Sequence, residues 1–288
     1  FLIMAFSIYS REIKQDIIDG LIARIKSRKG LENLDNKLCV QKIGEFLKQD
    51  SRCLKRLSSA MDFRSISKSK EVKAVLKYVK AELRPIYGLF VEKDLRQINK
   101  ILERGHLHKG DIDQILSMHV SSKERLSFYP EFYNKIFEIT GKPTSIVDVA
   151  SGLNPFAFRY MGLSKNIKYI AVELNQNDAS IINKFFEIEG INGKALKSDI
   201  TKEPMLFRAD VAFAFKIFDL IDSKIVERII KELDVKWIIA SFSTKTISRR
   251  DMRFKRRSGF QKMLRRLGFK YTTIVFPNEL VYCIKKIA

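Results

Sequence analysis

Ser145-Ile146-Val147-Asp148-Val149-Ala150-Ser151-Gly152-Leu153-Asn154-Pro155 is the stretch on which the fold turns. Ile146, Val147 and Val149 make its first half a buried strand, and Gly141-Lys142-Pro143 separates that strand from what precedes it. The second half turns at one glycine and reaches a proline suited to a first helical turn. Downstream, the patterning predicts strands over 167–172, 193–197, 210–214 and 235–241, with helices over 176–189 and 222–233. Such alternation implies a parallel sheet with helices on both faces. The last two β-rich runs, 269–276 and 280–286, are joined by Pro277-Asn278-Glu279 and read as an antiparallel hairpin.

Upstream the pattern is helical. Ile13, Ile17, Ile18, Leu21, Ile22 and Ile25 recur at helical spacing up to Gly30, and further helices are expected over 35–49, 51–62, 69–84 and 92–104, with another over 122–139. The expected architecture is therefore an all-helical domain over 1–108 followed by an α/β domain over 109–288. A Rossmann-like sheet closed by an antiparallel hairpin is the plan of class I methyltransferases, as opposed to dinucleotide-binding domains.

Composition narrows the partner. The 288 residues are 45% hydrophobic and 30% charged, which excludes a mainly disordered chain. No apolar run approaches the ~20 residues needed to cross a bilayer, and Phe1–Phe6 lacks the basic flank of a signal peptide. Cys39, Cys53 and Cys283 have no metal-site spacing, and with three histidines no metal site is expected; the cysteines read as reduced, buried thiols of a cytoplasmic protein. Fifty-four Lys and Arg against 33 acids give a net charge of +21, and residues 245–270 hold eleven of those cations with Asp251 as the sole acid. A focused positive field points to nucleic acid. Two clusters are candidates to hold RNA: Lys73, Lys77, Lys80 and Arg84 along one helix, and Arg249, Arg250, Arg253, Lys255, Arg256 and Arg257 after the fifth strand of the sheet. The competing reading is that these charges serve solubility.

The strand ends carry the chemistry. A single glycine at 152 is a poor cradle for a pyrophosphate but suits a smaller zwitterion, such as the methionine portion of S-adenosylmethionine. Glu173 ends the second strand where an acid can bind both ribose hydroxyls, and Asp199-Ile200 follows the third, where a carboxylate can accept from an adenine amine while an amide reads the ring. The fourth strand ends in Phe215-Lys216-Ile217-Phe218, without an Asn/Asp-Pro-Pro-aromatic motif or a cysteine pair. The acceptor is thus one needing neither covalent activation nor a base, such as guanine N7, and catalysis is mainly positioning. Phe215 or Phe218 stacks on a base or cofactor, or packs the core. Lys216, beside a buried strand end, needs an anionic or solvated destination.

His119-Val120-Ser121-Ser122-Lys123-Glu124-Arg125, Gly152-Leu153-Asn154-Pro155, Phe215-Lys216, Ser241-Phe242-Ser243-Thr244-Lys245 and Asn278-Glu279-Leu280-Val281-Tyr282 together resemble the 16S ribosomal-RNA guanine-N7 methyltransferases of the aminoglycoside-resistance (FmrO-like) type. The likeness runs from about Ser69 onward. It implies a class I methyltransferase using S-adenosylmethionine on ribosomal RNA of the small subunit, acting as a monomer. It implies that Arg125 grips the cofactor carboxylate and that Tyr87, His119, Ser121, Ala150, Gly152, Glu173, Asp199, Ile200 and Phe215 surround the cofactor. Lys216 and Phe218 are the residues expected at the methyl-transfer step. Ser151, Glu173 and Ser243 depart from the family's usual Cys, Asp and Pro, and the loop after Ile247 lacks its glycine-rich run. The alternatives are a methyltransferase for another RNA or base nitrogen, and a non-catalytic RNA-binding protein of the same fold.

Overall fold

The computed structural model describes residues 6–8, 11–28, 30–32, 34–83, 96–245 and 257–286. Two compact units divide the chain, Phe1–Asp94 and Leu95–Ala288. Residues 95–108, expected in the first, thus fall in the second. The reason is packing: α6 (Arg96–Leu102) buries Ile98, Ile101 and Leu102 in the same core as Phe185 and Phe186.

The first unit is helical apart from a short antiparallel ladder, β1 (Phe6–Ile8) with β2 (Arg11–Ile13), which takes Ile13 out of the helical series. This corrects the expectation of a purely helical domain. Then come α1 (Gln15–Lys26), α2 (Asn36–Gln49), α3 (Ser51–Ser58), α4 (Phe63–Ile66) and α5 (Lys70–Leu83). Aspartates start three of them: Asp35 accepts from the Leu38 amide, Asp50 from Arg52 and Cys53, and Asp62 forms a capping box with Ser65. Gly20 lets α1 meet Phe63, since a Cβ there would lie 2.3 Å from the ring. Ile17, Leu21 and Ile25 of α1 and Val72, Val75 and Val79 of α5 are buried, each such side chain contributing ~1.5–3 kcal/mol.

In the second unit α7 (Lys109–Leu116), α8 (Val120–Arg125) and α9 (Tyr129–Thr140) lead into β3 (Ser145–Val149). The single helix expected over 122–139 is broken at Phe128, with Pro130 opening α9. A 3-10 turn (Asn154–Ala157) and α10 (Phe158–Met161) follow, then β4 (Lys168–Glu173), α11 (Gln176–Glu189), β5 (Gly193–Lys197), β6 (Arg208–Phe215), α12 (Ser223–Glu232), β7 (Asp234–Ser243), α13 (Ser258–Arg266), β8 (Lys270–Phe276) and β9 (Glu279–Lys285). The seven strands order as β5-β4-β3-β6-β7-β9-β8, parallel up to β7 and antiparallel from there. Strand alternation sends Ile146 and Tyr169 to one core, with α9 and α11, and Val147, Val149 and Ala212 to the other, with α12 and α13. The chain order reverses at β3/β6, so the carboxyl ends of these strands open the crevice where open α/β sheets bind ligands. Cys39, Cys53 and Cys283 are buried, and no helix among the described residues is long and apolar enough to cross a membrane.

Candidate active site

The crevice is built by strand ends. After β3 the backbone turns through Ala150 (φ 51°) and Gly152 (φ 54°), and no atom lies within 4 Å of where a Gly152 Cβ would stand. A left-handed φ at Ala150 is unusual outside glycine and concentrates at functional turns. Glu173 closes over this turn: its Oε1 accepts from the Gly152 amide and, at 3.1 Å, from Ser151 Oγ. Burial pushes the Glu173 carboxyl up, and those donors only partly offset it.

Asp199 is 7% exposed. Its Oδ1 accepts from Thr201 at the amide (3.0 Å) and hydroxyl (2.6 Å). Its Oδ2 is buried without a hydrogen bond, the nearest cation being Lys202 Nζ at 3.7 Å. A buried carboxylate oxygen left open at a strand end fits a ligand amine. The neighbouring Ile200 is buried. Together with the room at Gly152, this set suits an adenosyl-type cofactor.

Beneath the turn lies a polar network absent from the sequence expectations. Tyr169 Oη (2.6 Å) and Asn154 Nδ2 (2.8 Å) donate to Asp148 Oδ2, and Tyr133 Oη donates to Asn154 Oδ1 (2.7 Å). Burial raises the Asp148 pKa to about 7, against these donors. With the folded pKa above the unfolded one, the proton is held more tightly in the folded state. The resulting stability is fully present below about pH 4 and is lost as pH rises through about 7. Asp148→Asn should remove that slope, so its melting temperature should gain on wild type between pH 5 and pH 8. Parallel melting curves of the two proteins would refute the assignment.

At the ends of β6, β7 and β9 four charges converge. Arg125, 2% exposed, donates from Nε (2.7 Å) and Nη2 (2.5 Å) to the fully buried Glu279, and lies over the rings of Phe215 (4.7 Å) and Phe132 (5.0 Å). Nε and Nη2, the two prongs expected at the cofactor carboxylate, are thus engaged by Glu279, and Nη1 is the nitrogen without an acceptor among the described residues. Burial pushes Glu279 up, but Arg125 and Lys216 outweigh it and hold the carboxyl below its usual range. Lys216 has a left-handed backbone (φ 60°), its amide fixed by Ser241 O (2.9 Å) and Oγ (3.1 Å). Its Nζ reaches Glu124 Oε2 at 2.8 Å and Glu279 at 3.7 Å. The lysine has found its anionic destination. Glu124 and Glu279 stand in the quoted motifs, but their local sequence does not show which cations they meet. A Glu at the start of a buried strand, which must find a cation, was the available signal.

His119 and Ser121 are half-buried and bond each other (Nδ1 to Oγ, 2.8 Å). Phe215 packs on Phe213 and Phe132 beside Arg125. Phe218, expected at the methyl-transfer step, is instead buried against Phe260 on the opposite face of the sheet, so its contacts are those of a core residue. Tyr87, Arg84, Arg249, Arg250, Arg253, Lys255 and Arg256 lie outside the described residues. Arg257 pairs with Asp219 and the Ser243 carbonyl. Lys73 and Lys77 are exposed; burial and then the Arg28 and Arg24 charges pull the Lys80 pKa down, so Arg24 of α1 and Arg28 just beyond it add to the positive charge beside α5.

Comparison with known proteins adds a lineage. The family model described as "Ribosomal RNA methyltransferase (FmrO)" matches residues 64–283. A 16S rRNA (guanine(1405)-N(7))-methyltransferase of Micromonospora echinospora is 26% identical over 230 residues, covering 75% of this chain and 84% of its own. A protein of the same name from Proteus mirabilis is 31% identical over 204 residues, covering 62% and 72%. Of solved structures, the 16S rRNA methylase RmtB aligns with a TM-score of 0.67 at 20% identity over 95% of this chain and all of its own. RmtF, solved with S-adenosyl-L-homocysteine, aligns at 0.69 and 18% identity with the same coverage. These structural likenesses show the fold.

Proposed function

The chain belongs to the FmrO ribosomal RNA methyltransferase family, and from that premise we propose that it methylates N7 of a guanine in 16S ribosomal RNA. The observation that carries this reading is that the carboxyl edge of the sheet holds both a buried, unbonded Asp199 Oδ2 after β5 and Lys216 after β6, one suited to an adenine amine and the other to a polar target. Bound S-adenosylmethionine supplies an electrophilic methyl group. The residues that hold it are Asp199 at the adenine amine, the Ile200 amide at the ring, Glu173 at the ribose and the Gly152 turn at the amino-acid portion. Ala150 lines that turn, Arg125 offers Nη1 to the carboxylate, and His119, Ser121 and Phe215 complete the wall. Lys216 handles the target base. A guanine N7 lone pair needs no deprotonation, so the chain's task is to position and to exclude water.

The experiment is to incubate the protein and S-adenosylmethionine with small ribosomal subunits, then cleave the RNA at 7-methylguanosine. One new cleavage site in 16S rRNA is the expected result; none overturns the reading. The turnover rate should stay nearly flat across moderately alkaline pH. A tenfold rise per pH unit, abolished by one side-chain change, would point to a deprotonated acceptor instead.

The protein works as a monomer in the cytoplasm, on the assembled small subunit. Lys73, Lys77, Lys80 and Arg84 track phosphates from the helical unit, and the basic segment 249–257 tracks them from the second. Neutralising Lys73, Lys77 and Lys80 should flatten the salt dependence of RNA binding by about one unit of log–log slope per lost contact, with cofactor affinity unchanged. An unchanged slope would return those charges to solubility.

A further inference from the structure

Glu124 stands at the mouth of the crevice with more acceptor capacity than its neighbours use. Its side chain is 24% exposed, whereas its partner Lys216 is 8% exposed and Glu279 fully buried. A carboxylate offers about four acceptor positions, and among the described residues the single donor to Glu124 is Lys216 Nζ, at Oε2. Two further buried oxygens on the adjoining strand ends, Asn278 Oδ1 and Thr244 Oγ1, have no hydrogen-bond partner. Both are tied to this corner: Asn278 Nδ2 donates to the Glu124 carbonyl (3.4 Å) and the Thr244 amide to the Asn278 carbonyl (3.0 Å). Lys216 brings the corner to the end of β6, held there by its left-handed backbone.

We propose that Glu124 is the specificity-determining residue that tells guanine from adenine, its carboxylate accepting from the N1–H and the N2 amine of the target base. This deepens the proposed function and rests on it. The chemistry follows from the base edges. Guanine presents two adjacent donors, N1–H and N2–H, to which a carboxylate is complementary. Adenine presents an N1 acceptor and no amine at C2, so a carboxylate meets a lone pair there. The N1/N2 edge lies across the purine from N7, so a group holding it leaves N7 clear. An enzyme acting on a base withdrawn from its stack reads it by this edge. A buried or half-buried acceptor that loses its donor is what makes such a site selective. Lys216, bonded to the same carboxylate, keeps it aimed, and its remaining N–H groups are available to the O6 carbonyl.

The rival role for Glu124 is only to balance the Lys216 charge, and the two roles separate on the substrate. Small subunits are reconstituted with either guanosine or inosine at the mapped target; inosine keeps N7, O6 and N1–H and lacks the N2 amine. Single-turnover methylation by wild type should fall roughly ten- to hundredfold on inosine, and Glu124→Gln should be slower on guanosine by a similar factor while treating the two bases alike. Calorimetry with S-adenosylhomocysteine should give the same affinity for both proteins. A wild type indifferent to inosine overturns the inference without recourse to any variant. A guanosine-to-inosine ratio that survives in Glu124→Gln overturns it as well, because charge balance alone slows both substrates equally. A wild type that methylates no 16S guanosine overturns the parent reading, and the inference with it.

Discussion

Arg125→Ala is expected to lower the free energy of unfolding by about 3–5 kcal/mol, the largest effect of any single side chain at this site. The reason is Glu279, which without Arg125 keeps a fully buried charge whose nearest remaining cation is Lys216 at 3.7 Å. Glu279→Ala should cost a similar amount by leaving the guanidinium uncompensated between Phe215 and Phe132. Replacing both at once, Arg125→Met with Glu279→Met, should recover most of the loss, since the desolvation of two ions disappears together with their attraction. Affinity for S-adenosylhomocysteine should not recover in the paired variant, because Nη1 has gone. Urea unfolding of the four proteins decides the matter. An Arg125→Ala variant as stable as wild type would mean that the pair does not tie α8 to β9.

The second large effect belongs to the cofactor. Asp199→Ala should weaken S-adenosylhomocysteine binding by roughly ten- to hundredfold, the cost of about 1–3 kcal/mol for a buried amine left without its acceptor. Asp199 also orders the following turn through Thr201, so a loss in the alanine variant alone would be ambiguous. Asp199→Asn resolves this. Its carbonyl oxygen keeps the Thr201 bonds while its amide turns a donor toward the ligand amine, so folding should be spared and affinity lost. Calorimetry showing full affinity in Asp199→Asn would move the adenine elsewhere in the crevice.

How much of this was legible beforehand depended on whether the information was local. Ser145–Pro155 shows its strand and turn through residue type alone, and the β/α alternation follows from apolar periodicity, so sheet and crevice could be read directly. Asp199 and Glu173 could be placed because strand ends in a parallel sheet converge by topology. The partner of Arg125 could not, since Glu279 lies 154 residues away and only folding makes them neighbours. Phe218 failed for a related reason: its face of the sheet is decided by the turn at Lys216, whose left-handed backbone no propensity anticipates in a lysine. The ladder before α1 is three residues a strand, too short for a period-two signal. The helix α13 was hidden inside a run noticed for its charge, although Phe260, Met263, Leu264 and Leu267 already recur at helical spacing there.

The same 154-residue span has a consequence for synthesis. Domains form as they leave the ribosome, amino end first. The strand β9 is the last of the sheet to emerge, and it enters between two others, pairing with β7 on one side and β8 on the other. Until it arrives, Arg125 waits without its counter-ion and the β7 edge lacks its antiparallel neighbour. A translation product stopped before Glu279 would carry every cofactor acid and still lack the closing strand.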